Sequence, residues 1–305
     1  MNMTTYREKI EALLEHFRYS TKLAEALGVH RMSIPNWRDG KEIHRDNRLK
    51  IDLLHARYCI IPSLDADAVR ESARRLEDED HRPWIDNLSI AESVGNKSAF
   101  GSLEVEVADA NKNTFYRIVE GDTIEKDVDK RTFLEMNNLA FLTRQILRQT
   151  LGGRIVAINS ALIRQWHYGI MNGIREDAGE YSTKMRVIGN TSVTLTAPED
   201  ISEEMEYWVK KYQEVSTIEA IARAHEHFEL IHPFGDGNGR AGRLIMTHHF
   251  VRMGLVPPLI DAANKGLYYT TLETAQTQGD PIPLLYFLVE AVERMKREVG
   301  VASEK

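Results

Sequence analysis

The sequence predicts a mostly α-helical fold with one β-hairpin, and three observations support this prediction. Amphipathic patterns of helical period dominate the 305 residues on both sides of a polar stretch at 61–109. No internal repeat or low-complexity tract interrupts them. The one clear exception is MRVIGNTSVTL at 185–195, where β-branched residues alternate around Gly189 and Asn190 and predict a β-hairpin. We therefore expect a helical core that carries one hairpin.

The N-terminal segment predicts a small helical domain. Residues 5–18 predict one helix, and residues 19–41 predict a helix, a tight turn at Gly28 and a second helix. This pattern resembles the helix-turn-helix of phage repressors. Pro35 falls inside the second helix, where it is tolerated only in the first turn. We therefore expect a helix-turn-helix-like domain over residues 1–60 and favour protein docking slightly over DNA binding.

A polar stretch divides this segment from the rest of the chain. Residues 61–109 contain the acidic run ESARRLEDEDHRPWIDNLS and no sustained apolar period, which predicts a connecting segment. Helical periods return after it, and they predict a second domain over 110–295 and a tail at 296–305. The helices of the second domain are predicted at 133–151, 160–174, 201–215, 217–231, 242–254 and 283–299.

Composition and charge limit the class of protein. The net charge is -7, but the first 58 residues hold 11 Lys and Arg against 8 Asp and Glu, so a nucleic-acid contact would be confined to them. No stretch approaches the roughly 20 apolar residues of a membrane span, and the charged N-terminus is unlike a signal peptide. The single cysteine, Cys59, excludes an intramolecular disulfide. We expect a cytoplasmic protein without membrane contact.

The stretch HPFGDGNGR at 232–240 joins two helical patterns and predicts an anion site. Pro233 ends the first helix, while Gly235, Gly237 and Gly239 let the backbone approach a ligand closely and aim its N–H groups at one point. The second helix begins at the same place, so its free N–H groups and the positive end of its dipole also face the anion. The loop is therefore predicted to cradle phosphate oxygens.

Charged side chains in the same stretch predict a polyphosphate. Arg240 and Arg243 share one side of the first helical turn, where two cations oppose the helix dipole unless an anion with several oxygens is bound. Asp236 would weaken anion binding unless Mg²⁺ bridges it to phosphate. His232 can take a proton near neutral pH, and Phe234 can anchor the loop in the core. We expect a Mg²⁺-polyphosphate site with a general base.

Other interpretations of these residues are weaker. DGNG is part of a calcium-loop pattern, but the remaining ligands of an EF-hand are missing. HEHFELIH lacks the i, i+4 histidine pair of zinc proteases, and His225 is interpreted as a core residue. The residues by themselves do not decide which reaction takes place at the polyphosphate site. Phosphoryl transfer, transfer of a nucleotide and removal of AMP from a modified protein all remain open.

A family resemblance narrows these alternatives. HPFGDGNGRAGR resembles the signature of Fic-domain proteins, H-P-F-x-[D/E]-G-N-G-R-x-x-R, at every position. The likeness runs over about residues 110–295 and implies a Fic-type helical core with a β-hairpin flap. Fic proteins typically transfer AMP from Mg-ATP to a Ser, Thr or Tyr hydroxyl of another protein. The resemblance therefore implies a protein adenylyltransferase with ATP as substrate, Mg²⁺ as cofactor and a protein target, which can be the enzyme itself.

The resemblance also implies a role for each residue of the loop. His232 would deprotonate the target hydroxyl, Asp236 would hold Mg²⁺, and Phe234 would anchor the loop. The phosphate oxygens would be bound by Gly235, Gly237, Asn238, Gly239, Arg240 and Arg243, with the two arginines on the β- and γ-phosphates. A target segment would be clamped by main-chain pairing with the flap, which comprises Val187, Ile188, Gly189, Asn190 and Thr191.

An inhibitory glutamate is implied as well. Many Fic proteins carry a helix with the pattern [S/T]-x-x-x-E-[G/N], whose glutamate pairs with the second arginine of the signature. TFYRIVEGDT supplies Glu120 and Gly121, with Tyr116 where Ser or Thr is expected. The inhibitory segment is therefore expected near 114–122, and Glu120 is predicted to pair with Arg243. The alternative is a solvated acid that precedes a helix cap at Gly121.

A function of a different class is that of a DNA-binding regulator or toxin-antitoxin component. In this hypothesis, residues 1–60 direct the chain to an operator while the catalytic domain is held inactive. Their small positive charge permits the contact weakly. A further hypothesis makes the same residues a docking domain that recruits the protein target.

Overall fold

The described part of the chain is mostly α-helical, as predicted. The structure, a computed structural model, describes residues 5–79, 82–107, 110–122, 128–154, 156–189 and 191–301. Within these ranges no residue belongs to a β-strand, and strand-like pairing is limited to one isolated bridge between Tyr181 and Phe234. The helices are α1 (Tyr6–Phe17), α2 (Ser20–Leu27), α3 (Ser33–Arg38), α4 (Arg45–His55), α5 (Ala66–Glu77), α6 (Arg82–Ile85), α7 (Leu88–Glu106), α8 (Lys112–Glu120), α9 (Lys130–Leu151), α10 (Ser160–Met171), α11 (Ile201–Tyr212), α12 (Ile218–Ile231), α13 (Asn238–Arg252), α14 (Lys265–Gln278) and α15 (Ile282–Val299).

Helices α1 to α4 form a small N-terminal domain with its own apolar core. A capping box of Thr5 and Glu8 begins α1, and α2 ends at Gly28, whose left-handed φ of 65° suits glycine. Pro35 is the third residue of α3, so its missing N–H falls among those that have no partner within a helix. Buried Trp37 fixes α3 to the core of the domain. The two short helices lie where they were predicted, while the helix-turn-helix assignment is not confirmed and DNA binding stays a prediction.

The segment predicted as a connection, 61–109, is mainly helical in its described part. Helix α5 packs against α15, and α7 packs against α9 and α13. Helix α7 shows no amphipathic period because small residues let neighbours approach it on several sides. A Cβ at Gly101, for example, would lie 2.5 Å from the carbonyl oxygen of Ile260. The absence of a period therefore reflected burial and not a loose linker.

The C-terminal part of the chain is built around α9 to α13, and a second core lies beside α14 and α15. The side chains of α12 and α13 enter both cores, so the loop between these two helices is held from both sides. Helix α15 continues to Val299, past the predicted domain end at 295. None of the described helices has the length and apolarity required to cross a bilayer.

Helix α14, which the sequence pattern did not indicate, supports the N-terminal domain. Gly266 lies so close to α4 that a Cβ there would be 2.5 Å from Cβ of Asp52. On the next turns, the guanidinium of Arg57 donates to the carboxylate of Glu273 at 2.6 Å. The N-terminal domain thus packs on the C-terminal part of the chain through a glycine contact and an ion pair.

The β-hairpin predicted near 185–195 is not confirmed, and the described residues there form no strand. Val187 is 89% exposed, and Asn190 lies outside the described residues. A two-stranded hairpin without a sheet or helix beneath it is marginal in water, so β-branched residues alone do not produce one. The segment is instead tied down by Arg186, which donates to the carbonyl oxygens of Thr196 and Ile231.

Candidate active site

The backbone of the loop between α12 and α13 is shaped by two left-handed residues. His232 ends α12 with φ 50° and ψ 56°, an uncommon conformation for a residue with a Cβ. Gly237, with φ 78°, precedes α13, and a Cβ there would lie 2.8 Å from Sδ of Met171. This turn leaves the first N–H groups of α13 directed into the loop, as an anion site requires.

Asn238 and Phe234 hold the loop in this shape. The side chain of Asn238 accepts the N–H of Phe234 at 2.8 Å and donates to its carbonyl oxygen at 2.8 Å. Phe234 is fully buried, so the loop is fixed to the core of the domain. The side chain of Asn238 thus closes the turn, while its backbone N–H lies at the start of α13, where a helix has no internal partner for it.

His167 on α10 is a loop support that sequence reasoning missed. Its ring stacks on Phe234 with centroids 3.7 Å apart. The N–H of Gly179 donates to Nδ1 at 2.9 Å, so Nε2 carries the proton and donates to the carbonyl oxygen of Asp236 at 2.8 Å. Burial lowers the pKa of His167 to about 4, so it is neutral at pH 7. No local pattern could have indicated a contact between residues 69 positions apart.

Arg240 is a buried cation with hydrogen-bonding capacity left for a ligand. It is 4% exposed and lies 3.4 Å from Glu135 and 3.6 Å from Asp236. Its Nε and Nη1 have no hydrogen-bond partner among the described residues. Buried donors are nearly always paired, so this arrangement favours a bound anion beside the guanidinium.

Asp236 fits a metal ion that is shared with a ligand. Its carboxylate is 40% exposed and accepts the N–H of Gly237 at 2.7 Å. The described residues contain no group of three or more His, Cys, Asp or Glu that could hold a metal ion alone. Mg²⁺ is commonly bound by one or two carboxylates together with substrate phosphates, and one carboxylate beside a phosphate cradle meets this requirement.

Arg243 is engaged by Glu106 and Ser102 of α7. Its Nη2 donates to Glu106 Oε1 at 2.8 Å and to the Ser102 carbonyl oxygen at 3.0 Å, and its Nε donates to the Ser102 hydroxyl at 2.8 Å. Burial alone would raise the pKa of Glu106, but the charge and hydrogen bond of Arg243 hold it below its ordinary value. The second arginine of the loop is thus occupied by a carboxylate.

The prediction that Glu120 pairs with Arg243 is wrong. Glu120 is an exposed residue at the end of α8, where Gly121 forms a left-handed cap with φ 77°. The cap, which was the alternative interpretation, accounts for both residues. The signal for Glu106 was present in SLEVEV, because Ser102 and Glu106 have the predicted spacing, with Val107 in place of Gly or Asn. It was missed because this segment showed no helical period.

One cavity brings the reactive groups of the loop together. Its volume is about 940 Å³, and it is lined by the loop from Gly235 to Gly239 together with His232 and Arg243. Burial lowers the pKa of His232 to about 4, against the opposing effect of its hydrogen bond to the Glu229 backbone. The imidazole is therefore neutral at pH 7 and able to accept a proton.

Comparison with known proteins identifies the part of the chain that contains the loop. Residues 157–250, which include the whole loop, match the model of the Fic/DOC family. This part of the chain is a Fic domain. The family resemblance predicted from the sequence is thereby confirmed for this region.

Curated adenylyltransferases are similar to part of the chain. Protein adenylyltransferase fic-1 of Caenorhabditis briggsae is 32% identical over 130 residues, which are 41% of this chain and 25% of that protein. Protein adenylyltransferase Fic of Nematostella vectensis is 35% identical over 124 residues, which are 39% of this chain and 28% of that protein. The chain therefore matches about a quarter of the length of these relatives.

Solved structures share the fold over most of the chain. A fragment of Fic-1 from Caenorhabditis elegans superposes with a TM-score of 0.64 at 18% identity, covering 95% of this chain and 98% of that one. A Fic family protein from Desulfovibrio desulfuricans G20 superposes with a TM-score of 0.63 at 20% identity, covering 80% and 75%. These likenesses show the fold.

Buried histidines in and around the Fic domain predict a loss of stability in acid. Burial lowers the pKa of His167 and His248 to about 4 and of His225 and His249 to about 3, from an ordinary value of 6.5. At a pH between the lowered pKa of each histidine and 6.5, the unfolded chain binds protons that the folded chain does not. The stability is therefore complete above pH 6.5 and falls as the pH falls, with each histidine contributing a slope of at most about 1.4 kcal/mol per pH unit.

Urea unfolding at several pH values between about 7.5 and 5 measures this loss. The free energy of unfolding is expected to fall with the pH, and His249→Phe is expected to reduce the slope. The exposed His44 provides a control for the exchange of a histidine for phenylalanine outside the core, and His44→Phe is measured in parallel. A slope that is equal in all three proteins would contradict the assignment of buried neutral histidines.

Proposed function

We propose that this chain is a protein adenylyltransferase that transfers AMP from Mg-ATP to a Ser, Thr or Tyr hydroxyl of a protein target. The observation that carries the proposal is the single cavity in which a neutral imidazole, a carboxylate, a glycine cradle and an arginine meet. The names of the similar curated proteins support the same reaction. The volume of the cavity, about 940 Å³, lies within the range of roughly 300–1,000 Å³ typical of ligand pockets.

In the proposed reaction each group of the site has one task. His232 accepts the proton of the target hydroxyl, whose oxygen forms a bond to the α-phosphorus. The bond from that phosphorus to the bridging oxygen breaks, and pyrophosphate leaves with its charge compensated by Arg240 and Arg243. Asp236 would hold Mg²⁺ against the phosphates, and the bound ion would offset their negative charge. The backbone N–H groups of Gly237, Asn238 and Gly239 would orient the oxygens.

Glu106 takes the inhibitory role that was predicted for Glu120. Its carboxylate lies 2.8 Å from Arg243, so a γ-phosphate that uses this arginine must displace it. A Cβ at Gly239 would lie 2.5 Å from Glu106 Oε1 and 2.9 Å from Arg243 Nη1, so the pair sits directly over the phosphate cradle. Activity therefore requires that α7 release its last residue from the site.

The N-terminal domain contributes to target recognition, since it lines the same cavity as the loop. Lys50, Leu54 and Arg57 of this domain face that cavity together with the flap residues Val187 and Thr191. Glu273 connects the N-terminal domain with the flap, because its carboxylate accepts hydrogen bonds from the Arg57 guanidinium at 2.6 Å and from the Thr191 hydroxyl at 3.1 Å. This arrangement favours a docking domain over a DNA-binding regulator.

Intact mass measurement after incubation of the Glu106→Gly protein with ATP and Mg²⁺ tests the reaction. A gain of one AMP unit on the protein or on an added acceptor supports adenylyl transfer. A phosphate-sized gain would replace it by phosphoryl transfer, and loss of AMP from a previously modified protein would replace it by de-AMPylation.

The role of the N-terminal wall is tested by Arg57→Ala in the Glu106→Gly background. We expect a fall of about two- to tenfold in AMP transfer to a mixed library of Ser, Thr and Tyr peptides, because the N-terminal domain loses its ion pair with Glu273. The KM for ATP should not change. Arg7→Ala, which breaks an exposed pair elsewhere in the same domain, serves as the control. Equal peptide rates in both variants would contradict the docking role.

A further inference from the structure

A buried acid lies beneath the catalytic histidine, and the reaction described above leaves it without a task. Glu229 stands one turn before His232 on α12 and is 5% exposed. Its Oε2 lies 3.9 Å from Nδ1 of His232, while its backbone carbonyl oxygen lies 3.3 Å from the same nitrogen. The main chain and side chain of one residue therefore both face the inner nitrogen of the imidazole.

Helix α13 leaves room for this carboxylate. A Cβ at Gly242 would lie 2.2 Å from Glu229 Oε1, so any side chain there would displace the acid. The same oxygen has no hydrogen-bond partner among the described residues. A buried acid that is left partly unsatisfied costs stability, and such groups are retained mainly at functional sites.

We propose that Glu229 is a positioning residue with two parts: its backbone carbonyl oxygen fixes the orientation of His232, and its carboxylate places a negative charge beside the imidazolium formed during the reaction. The proposal rests on the proposed function, in which His232 takes the proton of the acceptor hydroxyl. The carboxylate has the electrostatic role of the aspartate in the triads of serine hydrolases, while the carbonyl oxygen accepts the hydrogen bond from Nδ1.

The hydrogen-bond geometry decides which nitrogen acts as the base. Nδ1 of His232 donates its proton to the Glu229 carbonyl oxygen, so the free lone pair is on Nε2. Nε2 takes the hydroxyl proton while the oxygen bonds to phosphorus and pyrophosphate leaves. The ring is then a cation in a site where burial disfavours charge, and a carboxylate 3.9 Å away reduces that cost. The proton later passes from Nε2 to solvent.

The charge state of Glu229 depends on the groups around it. Burial raises the pKa of Glu229 to about 7, with Arg243 of α13 opposing this and Glu106 of α7 adding to it. The neighbouring pair of His225 and Tyr268, whose Nε2 and hydroxyl oxygen are 2.7 Å apart, is neutral at pH 7. Removal of Glu106 therefore favours the ionised form of Glu229.

Three further charged groups act on the pKa of His232. Arg186, in the segment before the flap, lowers this pKa, while Glu106 of α7 and Asp236 of the loop raise it. Glu106 is absent from both proteins when they are compared in the Glu106→Gly background, and Arg186 and Asp236 are unchanged when Glu229 is replaced. A pH effect that appears only on replacement of Glu229 can therefore be assigned to this carboxylate.

The test compares Glu229→Gln with its parent in the Glu106→Gly background. We expect kcat for AMP transfer to fall by about 10- to 100-fold with little change in the KM for ATP. As the pH is raised through the range in which Glu229 ionises, at or below neutral pH, the rate of the parent protein should increase. This increase should be absent from the Gln variant. Histidine NMR should show a lower pKa for His232 in the Gln variant, and Glu229→Asp should restore part of the rate.

Glu226→Gln is the matched control, since Glu226 is a half-buried acid one turn away on the same helix. It should leave the rate and the pH profile unchanged. An unchanged kcat and an unchanged His232 pKa in a folded Glu229→Gln protein would overturn the proposal. If the parent itself transfers no AMP, the proposed function fails, whereas the NMR titration still decides whether Glu229 acts on His232.

Discussion

Replacement of Glu106 by glycine is expected to raise the initial rate of AMP transfer by about 10- to 100-fold, the range typical of coupling between two sites. In the resting protein the carboxylate occupies Arg243 at 2.8 Å, and a phosphate must compete with it. Removal of the side chain frees the guanidinium for the ligand. Glu106 is the last residue of α7, so glycine there should disturb the helix little.

Glu120→Gly is the control for this change. Glu120 is exposed at the end of α8, and its removal should leave the rate at the wild-type level. The rate is measured as AMP added to the protein itself, by intact mass over time. An increase in Glu120→Gly would restore the role that the sequence pattern suggested for this residue, and the absence of an increase in Glu106→Gly would contradict inhibition by Glu106.

The binding of Mg-ATP provides a second measurement of the competition between Glu106 and a phosphate for Arg243. Arg243 is 4% exposed, and a buried cation that loses its partner is costly. Glu106→Gly should therefore unfold at a lower temperature than wild type without ligand. Addition of Mg-ATP should raise its midpoint by more than it raises that of wild type, because phosphate replaces the lost carboxylate.

His232→Ala in the Glu106→Gly background is expected to reduce AMP transfer by about 10²- to 10⁴-fold, as removal of a general base usually does. The imidazole lines the cavity beside Asp236 and the glycine cradle. ATP binding should persist, because the phosphate contacts come from the loop and the arginines. Transfer rate and nucleotide affinity are therefore measured on the same preparation.

His227→Ala is the matched control, because His227 lies on the same helix but pairs with Glu204 on the other side. It should keep the parent rate. Full activity in His232→Ala would remove His232 as the base, and a parallel loss of ATP affinity would instead indicate a collapsed loop. Thermal unfolding separates these two outcomes.

The shape of the loop could be predicted because the residues that set it are contiguous in sequence. Nine consecutive residues contain the histidine, the carboxylate, the glycines and the first arginine. A loop that begins a helix exposes N–H groups by the geometry of the helix itself. Local rules therefore sufficed for Gly237, Gly239 and the turn that contains them.

The contact between Glu106 and Arg243 could not be predicted in the same way. Glu106 and Arg243 are 137 positions apart, and the helix that carries Glu106 is packed through small residues and so lacks an amphipathic period. Glu120 matched a short pattern, but its neighbour Gly121 only ends a helix. A motif of two or three residues does not specify where its side chains are in space.

The sequence by itself determined the mostly helical class, the limits of most helices of the C-terminal part of the chain and the composition of the loop. These features follow from periodicity, capping and backbone geometry, which act between residues a few positions apart. The tertiary structure alone decided that Glu106 meets Arg243, that His167 supports the loop and that α4 docks on α14. It also decided that Glu229 lies buried behind His232. Such contacts depend on which helix faces pack together, and the packing of distant segments is set by the whole core.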